Sequence, residues 1–371
     1  MKTLSRILSF IVILTILAAC APAQPVTVVE TVVVEKPVEK VVQQTVVVKG
    51  EPEVQIITAT PLPKVDKVSL RTNWMWYGSH SIFFLGKEKG FYAGQNIDVD
   101  VKQGNGSGNV VKLVANKDST FGYVSGAALI LQVAQGAPVI AVATIDAQGA
   151  DAVICRPDSG VKTLKDLEGK TLMTTAGAGV NAFWPVVVAN AGLDEKKIKL
   201  TNVAENALVP LYLKNNAPCI LGGLDDKPAE IEANGGDKPL VFSYTDYGVY
   251  QPGYVIVAHK DTVRDNPDLV KRFVLATLQS VNAAMANPDE SVAALSKWST
   301  LDEAGIAQAR KVLDVTLAII WSPNNTDKVL GMNQEKDFEV AIDLFKKYKD
   351  LKTDLPATAF FTNEFVPKTL P

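Results

Sequence analysis

The chain has 371 residues, of which 47% are hydrophobic, and its formal net charge is −3. This composition supports one large or two medium globular units and excludes a chain that is disordered over most of its length. The near balance of 37 basic and 40 acidic residues gives no sign of a nucleic-acid-binding surface. With only two histidines and three cysteines, there is little room for a histidine-based site, and we expect neither a metal nor a cofactor.

Residues 1–20 have the order of a secretory signal peptide: two basic residues, an apolar run over residues 7–17, then small residues. The apolar run is too short to span a hydrocarbon core of ~30 Å, which argues against an uncleaved anchor. Residues 17–20, LAAC, resemble a bacterial lipobox, in which the cysteine is acylated and becomes the mature N-terminus. We therefore predict lipidation at Cys20 and a location on the extracytoplasmic face of the cell membrane.

Residues 21–64 repeat valine with threonine, glutamate and lysine, contain no aromatic residue and end in a proline-rich segment. Such a composition cannot build a core, and its prolines and charges favour an extended tether. A coiled coil is the alternative, but the valines keep no heptad spacing and prolines interrupt them. We predict a tether.

From residue 65 onward, apolar runs of strand length alternate with helical patterns. This alternation is typical of α/β architecture with mostly parallel sheets and helices on both faces. After a first strand that begins near Val68, the predicted strands are 97–101, 120–124, 139–145, 151–156, 171–174, 198–201, 219–221, 240–242 and 254–258. The predicted helices are 109–115, 127–134, 181–190, 207–213 and most of 267–349. Cys155 and Cys219 lie in short apolar runs, and we expect both to be buried free thiols.

The stretch Val68–Tyr92 places a cluster of aromatic side chains between a strand and a helix. Ser79 is the expected N-cap of that helix, and Gly90 is expected to end it. Trp74, Trp76 and Tyr77 cannot all face one core within four residues, so at least one of them is expected to line a cleft.

Two glycine-rich loops precede helices, at residues 104–108 and 174–179. The first has a GxGxG spacing, but no acidic residue follows where a dinucleotide-binding fingerprint would place one. We interpret both loops as helix openings whose free amides face a ligand, one loop from each side of a cleft.

Several segments together resemble the NMT1/THI5-like solute-binding proteins of ABC importers. They are TNWMWYGSHSIFFLGKEKGFYAGQNIDVDV, ANKDSTFGYVSGAALILQVAQGAPVIAVATI, GVKTLKDLEGKTL, NPDLVKRFVLATLQ and FFTNEFVP, and they cover nearly all of residues 65–371. The resemblance implies a type II periplasmic-binding-protein fold, in which two α/β lobes are joined by a hinge and enclose an interlobe cleft. We expect lobe 1 to comprise residues 65–148 and 247–371 and lobe 2 residues 149–246, with crossings near Gln148 and Asp246.

The resemblance also implies partners: a small aromatic vitamin ligand, an ABC permease with its ATPase, and the membrane through Cys20. We expect a monomer that binds no nucleic acid. A different class, a pyrimidine-biosynthesis enzyme, remains as an alternative because the family has such a branch. The chain lacks that branch's cysteine-rich motif, and its histidines and cysteines form no convincing catalytic arrangement, so we expect no catalytic residue.

The residues expected around the ligand are aromatic and neutral to acidic, and include no arginine. They are Asn73, Trp74, Trp76, Tyr77, His80, Asn105, Tyr123, Ser125, Asn181, Trp184, Asp225, Tyr244, Asp246 and Tyr247, although Tyr123 and Trp184 fit a core equally well. Such a set suits a flat, uncharged heterocycle better than a sulfonate or nitrate, since a buried anion needs countercharge. The segments at residues 104–126 and 243–249 resemble the riboflavin- or vitamin-binding branch. Riboflavin is the first expectation, a thiamine pyrimidine precursor the second, and a sulfonate or nitrate the last.

Overall fold

The computed structural model describes residues 64–370. The predicted signal peptide, the lipidated Cys20 and all but the last residue of the predicted tether lie outside the described residues. Within the described part, residues 65–370 contain two five-stranded sheets flanked by helices.

The first sheet has the strand order β2-β1-β3-β10-β4. Strand β1 is parallel to β2 and β3, whereas β10 is antiparallel to both β3 and β4. Four strands therefore run in one direction and the returning strand opposes them. The strands are β1 (Asp66–Arg71), β2 (Ile97–Lys102), β3 (Phe121–Ser125), β4 (Val139–Asp146) and β10 (Tyr254–His259).

The second sheet repeats this plan with the order β7-β6-β8-β5-β9. Strand β6 is parallel to β7 and β8, and the incoming strand β5 is antiparallel to β8 and β9. Each sheet is thus mixed, with one opposing strand, which agrees with the prediction of mostly parallel sheets. The strands are β5 (Asp151–Cys155), β6 (Thr171–Thr175), β7 (Lys199–Val203), β8 (Cys219–Gly223) and β9 (Leu240–Ser243).

Helices cover the faces of both sheets, and residues 267–348 contain four of them, in agreement with the helical region predicted over most of 267–349. The helices are α1 (Ser81–Glu88), α2 (Phe91–Gly94), α3 (Ser107–Ala115), α4 (Gly126–Ala134), α5 (Trp184–Asn190), α6 (Glu205–Leu213), α7 (Lys227–Ala233), α8 (Lys260–Asp265), α9 (Pro267–Ala286), α10 (Pro288–Ser296), α11 (Glu303–Ala318) and α12 (Glu335–Tyr348). The long α9 packs on the first sheet through apolar side chains such as Phe273, whose ring stacks on Phe121 at 3.8 Å.

The chain passes from the first sheet to the second between residues 146 and 151, and returns between residues 243 and 254. The two connections touch: a Cβ on Gly253 would lie 2.2 Å from the carbonyl oxygen of Gln148. Only glycine fits at that contact. The predicted crossings near Gln148 and Asp246 fall within these connections, and the lobe boundaries drawn from them stay predictions.

The helix after the aromatic stretch begins two residues later than its predicted cap. Ser79 lies in a 3-10 turn, and its hydroxyl is 2.5 Å from that of Thr316 on α11. The predicted capping role is therefore wrong, because a long-range partner takes the hydroxyl and α1 begins at Ser81 without a side-chain cap. Gly90 does follow the helix end, with a φ of 72° that favours glycine.

The expectation of free thiols at Cys155 and Cys219 is also wrong. The two residues are direct partners on the antiparallel strands β5 and β8, with their Cα atoms 4.1 Å apart, and they form a disulfide. Close Cα approach is typical of non-hydrogen-bonded pairs on antiparallel strands. The apolar residues that flank each cysteine correctly indicated that the cysteine is buried, but they do not indicate which strand lies next to it.

Candidate functional site

A cleft lies between the two sheets, at the ends of strands from both. Its volume is about 70 Å³, well below the ~300–1,000 Å³ typical of drug-sized ligand sites. Parallel strands of an α/β sheet present loops and helix N-termini at their carboxyl ends, which is where such folds bind ligands. The lining residues are Asn73, Trp74, Tyr77, Gly106, Ser107, Ala150, Asp151, Thr175, Ala178, Gly179, Val180, Glu205, Leu208, Leu221, Gly222, Gly223, Asp225, Asp226, Lys227 and Tyr254.

The two glycine-rich loops meet across this cleft, as predicted. A Cβ placed on Gly106 would lie 3.4 Å from the carbonyl oxygen of Gly177, and one on Gly179 would lie 3.2 Å from the hydroxyl of Ser125. At the surface, Lys311 of α11 also forms a 2.7 Å ion pair with Glu232 of α7. The structure therefore has its cleft closed, which accounts for the small volume.

Aromatic side chains form one wall of the cleft. Trp74 and Tyr77 come from the segment after β1, and Tyr254 is the first residue of β10. Trp76 instead turns away and packs edge-on against Phe84 of α1, with ring centroids 5.0 Å apart. The expectation that at least one of these three aromatic residues lines a cleft is thus confirmed.

A second layer of aromatic residues supports this wall. The Tyr123 ring stacks on Tyr254 at 4.9 Å, and the His80 ring meets Tyr77 edge-on at 4.3 Å. His80 also hydrogen-bonds the side chain of Asn73 at 2.7 Å, and burial lowers the pKa of His80 to about 3. A neutral, fully buried imidazole of this kind holds neighbouring cleft residues in place.

Carboxyl groups dominate the opposite wall. Asp225 and Asp226 follow β8, and their Oδ1 atoms lie 2.2 and 2.7 Å from the position that a Cβ on Gly223 would occupy. Asp225 is 4% exposed, and no described side chain hydrogen-bonds its carboxyl. Burial, with a contribution from Asp226, raises the pKa of Asp225 well above its usual range. This wall can therefore accept hydrogen bonds and, through a protonated carboxyl, donate one.

Lys227 is the cation among the residues that line the cleft, and carboxylates surround it. Its ammonium group contacts Glu205, Asp226 at 3.1 Å and Glu230 at 2.8 Å. Glu205 also accepts a 2.8 Å hydrogen bond from the hydroxyl of Thr175. A lysine with three carboxylate partners has little attraction left for an anionic ligand.

Four of the residues expected around the ligand line this cleft: Asn73, Trp74, Tyr77 and Asp225. Others are interior. Tyr123, Trp184 and Tyr244 are at most 2% exposed, and the hydroxyl of Tyr123 donates a 2.6 Å hydrogen bond to Asp146. The remaining expected residues, Trp76, His80, Asn105, Ser125, Asn181, Asp246 and Tyr247, lie outside the lining. Asn181 bonds within its own loop, and Asp246 is exposed. A ligand role for these residues stays a prediction.

Sequence reasoning missed several polar lining residues: Asp151, Glu205, Asp226, Lys227 and Tyr254. A signal existed for some of them, because Asp226 and Lys227 lie a few residues beyond the carboxyl end of a predicted strand. Asp151 and Tyr254 begin their strands, and they reach the cleft only because β5 and β10 oppose the other strands of their sheets.

Within residues 64–370, no group of three or more histidine, cysteine, aspartate or glutamate side chains is arranged to hold a metal ion. The same residues include no helix with the length and apolar character needed to cross a membrane.

Comparison with known proteins places the chain in a family. The model of the family described as NMT1/THI5 like matches residues 78–291, more than half of the chain. The riboflavin-binding protein RibY of Chloroflexus aurantiacus is 22% identical over 320 residues, covering 84% of this chain and 90% of that protein. A putative thiamine biosynthesis protein of Haemophilus influenzae is 24% identical over 229 residues, which is 61% of this chain and 71% of that protein. The formylaminopyrimidine-binding protein of Halalkalibacterium halodurans is 21% identical, covering 83% of this chain and 93% of that protein.

Solved structures agree on the fold. The alkanesulfonate-binding protein SsuA of Xanthomonas axonopodis aligns with a TM-score of 0.63 and 13% identity, over 81% of this chain and all of that one. The nitrate-binding protein NrtA of Synechocystis aligns with a TM-score of 0.61 and 14% identity, over 80% of this chain and 85% of that one. At these identities the likeness extends to the fold alone. The chain is a member of the NMT1/THI5-like family, and its two α/β lobes have the type II periplasmic-binding-protein fold.

Proposed function

We propose that this protein is the extracytoplasmic solute-binding component of an ABC importer, and that its solute is a flat nitrogen heterocycle, with riboflavin as the first candidate. The observation that carries the ligand class is the cleft itself. One wall offers the rings of Trp74, Tyr77 and Tyr254, the other offers carboxyls, and the one lining lysine among the described residues is fully paired. Aromatic faces stack on a planar ring while carboxyls read its N–H and C=O edge.

The same chemistry argues against an anionic solute. A sulfonate or nitrate would lie beside Asp225 and Asp226 without an available countercharge, which is costly in a buried site. In this proposal the protein therefore shares the fold of sulfonate- and nitrate-binding proteins but binds a different class of ligand.

A thiamine pyrimidine precursor is the second candidate, and the cleft volume favours it. About 70 Å³ suits one ring better than three, so riboflavin requires the lobes to open further than they do here. An aminopyrimidine also presents an amino donor beside a ring-nitrogen acceptor, which matches a protonated and an ionised carboxyl side by side. The relatives that bind riboflavin and formylaminopyrimidine support the two candidates about equally.

The disulfide supports the proposed location. Disulfides persist in oxidising compartments and are rare in the cytosol of most organisms, so Cys155–Cys219 fits a protein outside the membrane. The lipid anchor at Cys20 belongs to the same proposal. Cys20→Ser should abolish incorporation of a labelled fatty acid and leave the precursor unprocessed, whereas label retained by the variant would exclude the anchor.

A ligand panel tests the central proposal. Thermal melts and calorimetry with riboflavin, formylaminopyrimidine, taurine and nitrate should show stabilisation by one of the first two, because a ligand that binds only the native state raises its stability. Bound riboflavin should also lose fluorescence through contact with an electron-rich ring. Stabilisation by taurine or nitrate alone would refute the proposal.

A further inference from the structure

Gln251 links the second connection between the lobes to the ligand cleft. The residue is 6% exposed, and its Nε2 donates a 2.7 Å hydrogen bond to Oδ2 of Asp151. Asp151 lines the cleft and begins β5, directly after the first connection. One side chain thus joins the two connections and ends on a cleft carboxyl.

The Gln251 side chain packs closely against the first connection. A Cβ on Gly149 would lie 2.7 Å from Nε2 and 2.9 Å from Cγ of Gln251, so only glycine admits the amide at that point of the first connection. Gln251 also borders a cavity of about 280 Å³ formed by both connections and by residues that precede and begin α12. Gln251 therefore contacts both this hinge-side cavity and a residue that lines the ligand cleft.

The hydrogen bond determines which Asp151 oxygen is available. Oδ2 is occupied by Gln251, and no other described side chain donates to this carboxylate. The titratable groups that act on or face Asp151 are Asp225 from the end of β8, Tyr244 from the turn after β9, and Tyr254 from β10. Burial raises the pKa of Asp151 to about 6, and the hydrogen bond from Gln251 opposes this rise.

We propose that Gln251 is a positioning residue of the ligand site, which holds the Asp151 carboxylate so that Oδ1 accepts a hydrogen bond from an N–H group of the solute. This inference rests on the proposed function for its ligand chemistry. Both candidate solutes carry such a donor, the imide N–H of riboflavin and the amino group of the pyrimidine. The hinge amide thereby determines the charge and orientation of a group that contacts the ligand.

Ligand-free titration tests the positioning role directly. Carboxyl carbon NMR of the full chain with labelled aspartate, with Asp151→Asn used for assignment, should show Asp151 titrating at higher pH in Gln251→Leu than in the parent. The matched control is Gln148→Leu. Gln148 borders the same hinge-side cavity, but its amide donates to the carbonyl of Trp321 and not to a cleft residue. An unchanged Asp151 titration in Gln251→Leu overturns the proposal, whether or not a ligand is known.

Binding of riboflavin and formylaminopyrimidine supplies the second readout. Gln251→Leu should weaken binding of the accepted solute at least tenfold at pH 6.5, as expected for loss of support to a charged hydrogen bond, and the defect should shrink at pH 8.5 as Asp151 ionises. Asp151→Asn should weaken binding at both pH values, and Gln148→Leu at neither. Equal defects in Gln251→Leu and Gln148→Leu that do not change with pH would mean a purely structural role. If neither solute binds the parent, the proposed function fails, while the NMR titration still decides the role of Gln251.

Discussion

Removal of the disulfide is the most direct test of how the second lobe is held together. We expect the double substitution Cys155→Ala/Cys219→Ala to lower the free energy of unfolding substantially. The bond closes a loop with a sequence separation of 64 residues. For a loop of that length, the chain-entropy model gives a stabilisation of about 4 kcal/mol at 25 °C, most of it through restriction of the unfolded chain.

Urea unfolding at 25 °C measures this effect. The midpoint should fall, and the slope should rise because an unfolded chain without the cross-link exposes more surface. Both proteins should carry Cys20→Ser so that no third thiol is counted. The parent treated with reductant should then unfold like the double variant, and reductant should not change the double variant.

Thiol titration decides the matter independently. The unreduced, denatured parent should contain no free thiol in the Cys20→Ser background, and reduction should release two. Two free thiols without reduction, together with equal stability of parent and double variant, would refute the disulfide and restore the interpretation of these residues as buried thiols.

Two further predictions concern the cleft, and one concerns a buried carboxyl. Trp74→Ala should weaken riboflavin binding at least tenfold, since a lost stack costs about 1 kcal/mol beyond the lost buried area. Trp76→Ala should mainly lower the melting temperature. The reverse pattern in calorimetry and thermal melts would show that Trp76, and not Trp74, stacks on the ligand. Burial raises the pKa of Asp146 to about 7 from an unfolded value of about 3.9. Between these two pH values the folded protein binds one proton more at this carboxyl than the unfolded chain does. The free energy of unfolding therefore falls as the pH rises from about 4 to 7. Asp146→Asn should therefore gain stability over the parent in urea unfolding at pH 8 and not at pH 4, and an equal gain at both would exclude this cause. Gly106→Ala should weaken ligand binding severalfold, because Gly106 has a φ of 118° and faces Gly177 across the closed cleft. The control Gly108→Ala should bind like the parent, because a Cβ at that position meets no atom within 4 Å.

Much of the fold follows from local sequence. Strands and helices were predictable because the spacing of apolar residues reports which face of an element is buried, and observed bounds such as those of β2 and α4 differ from the predicted ones by one residue. The crowding of Trp74, Trp76 and Tyr77 also predicted a division between cleft and interior, since consecutive residues of an extended segment point in different directions. The strand and helix pattern also indicated two units, and the family resemblance implied the same two-lobe arrangement.

The composition of the site depended on tertiary structure. Cys155 and Cys219 became a disulfide because β5 and β8 are neighbours, and Asp151 entered the cleft because β5 runs against its sheet. Lys227 has Asp226 and Glu230 as partners that are close in sequence, and only the fold brings Glu205 of α6 to the same ammonium group. A sequence pattern indicates which helix or strand a residue belongs to and whether it faces the core. Disulfide pairing, the burial of a charged group and the pKa of that group depend instead on residues that are distant along the chain. Strand order and the direction of the returning strands therefore decided which of the polar residues meet in one cleft.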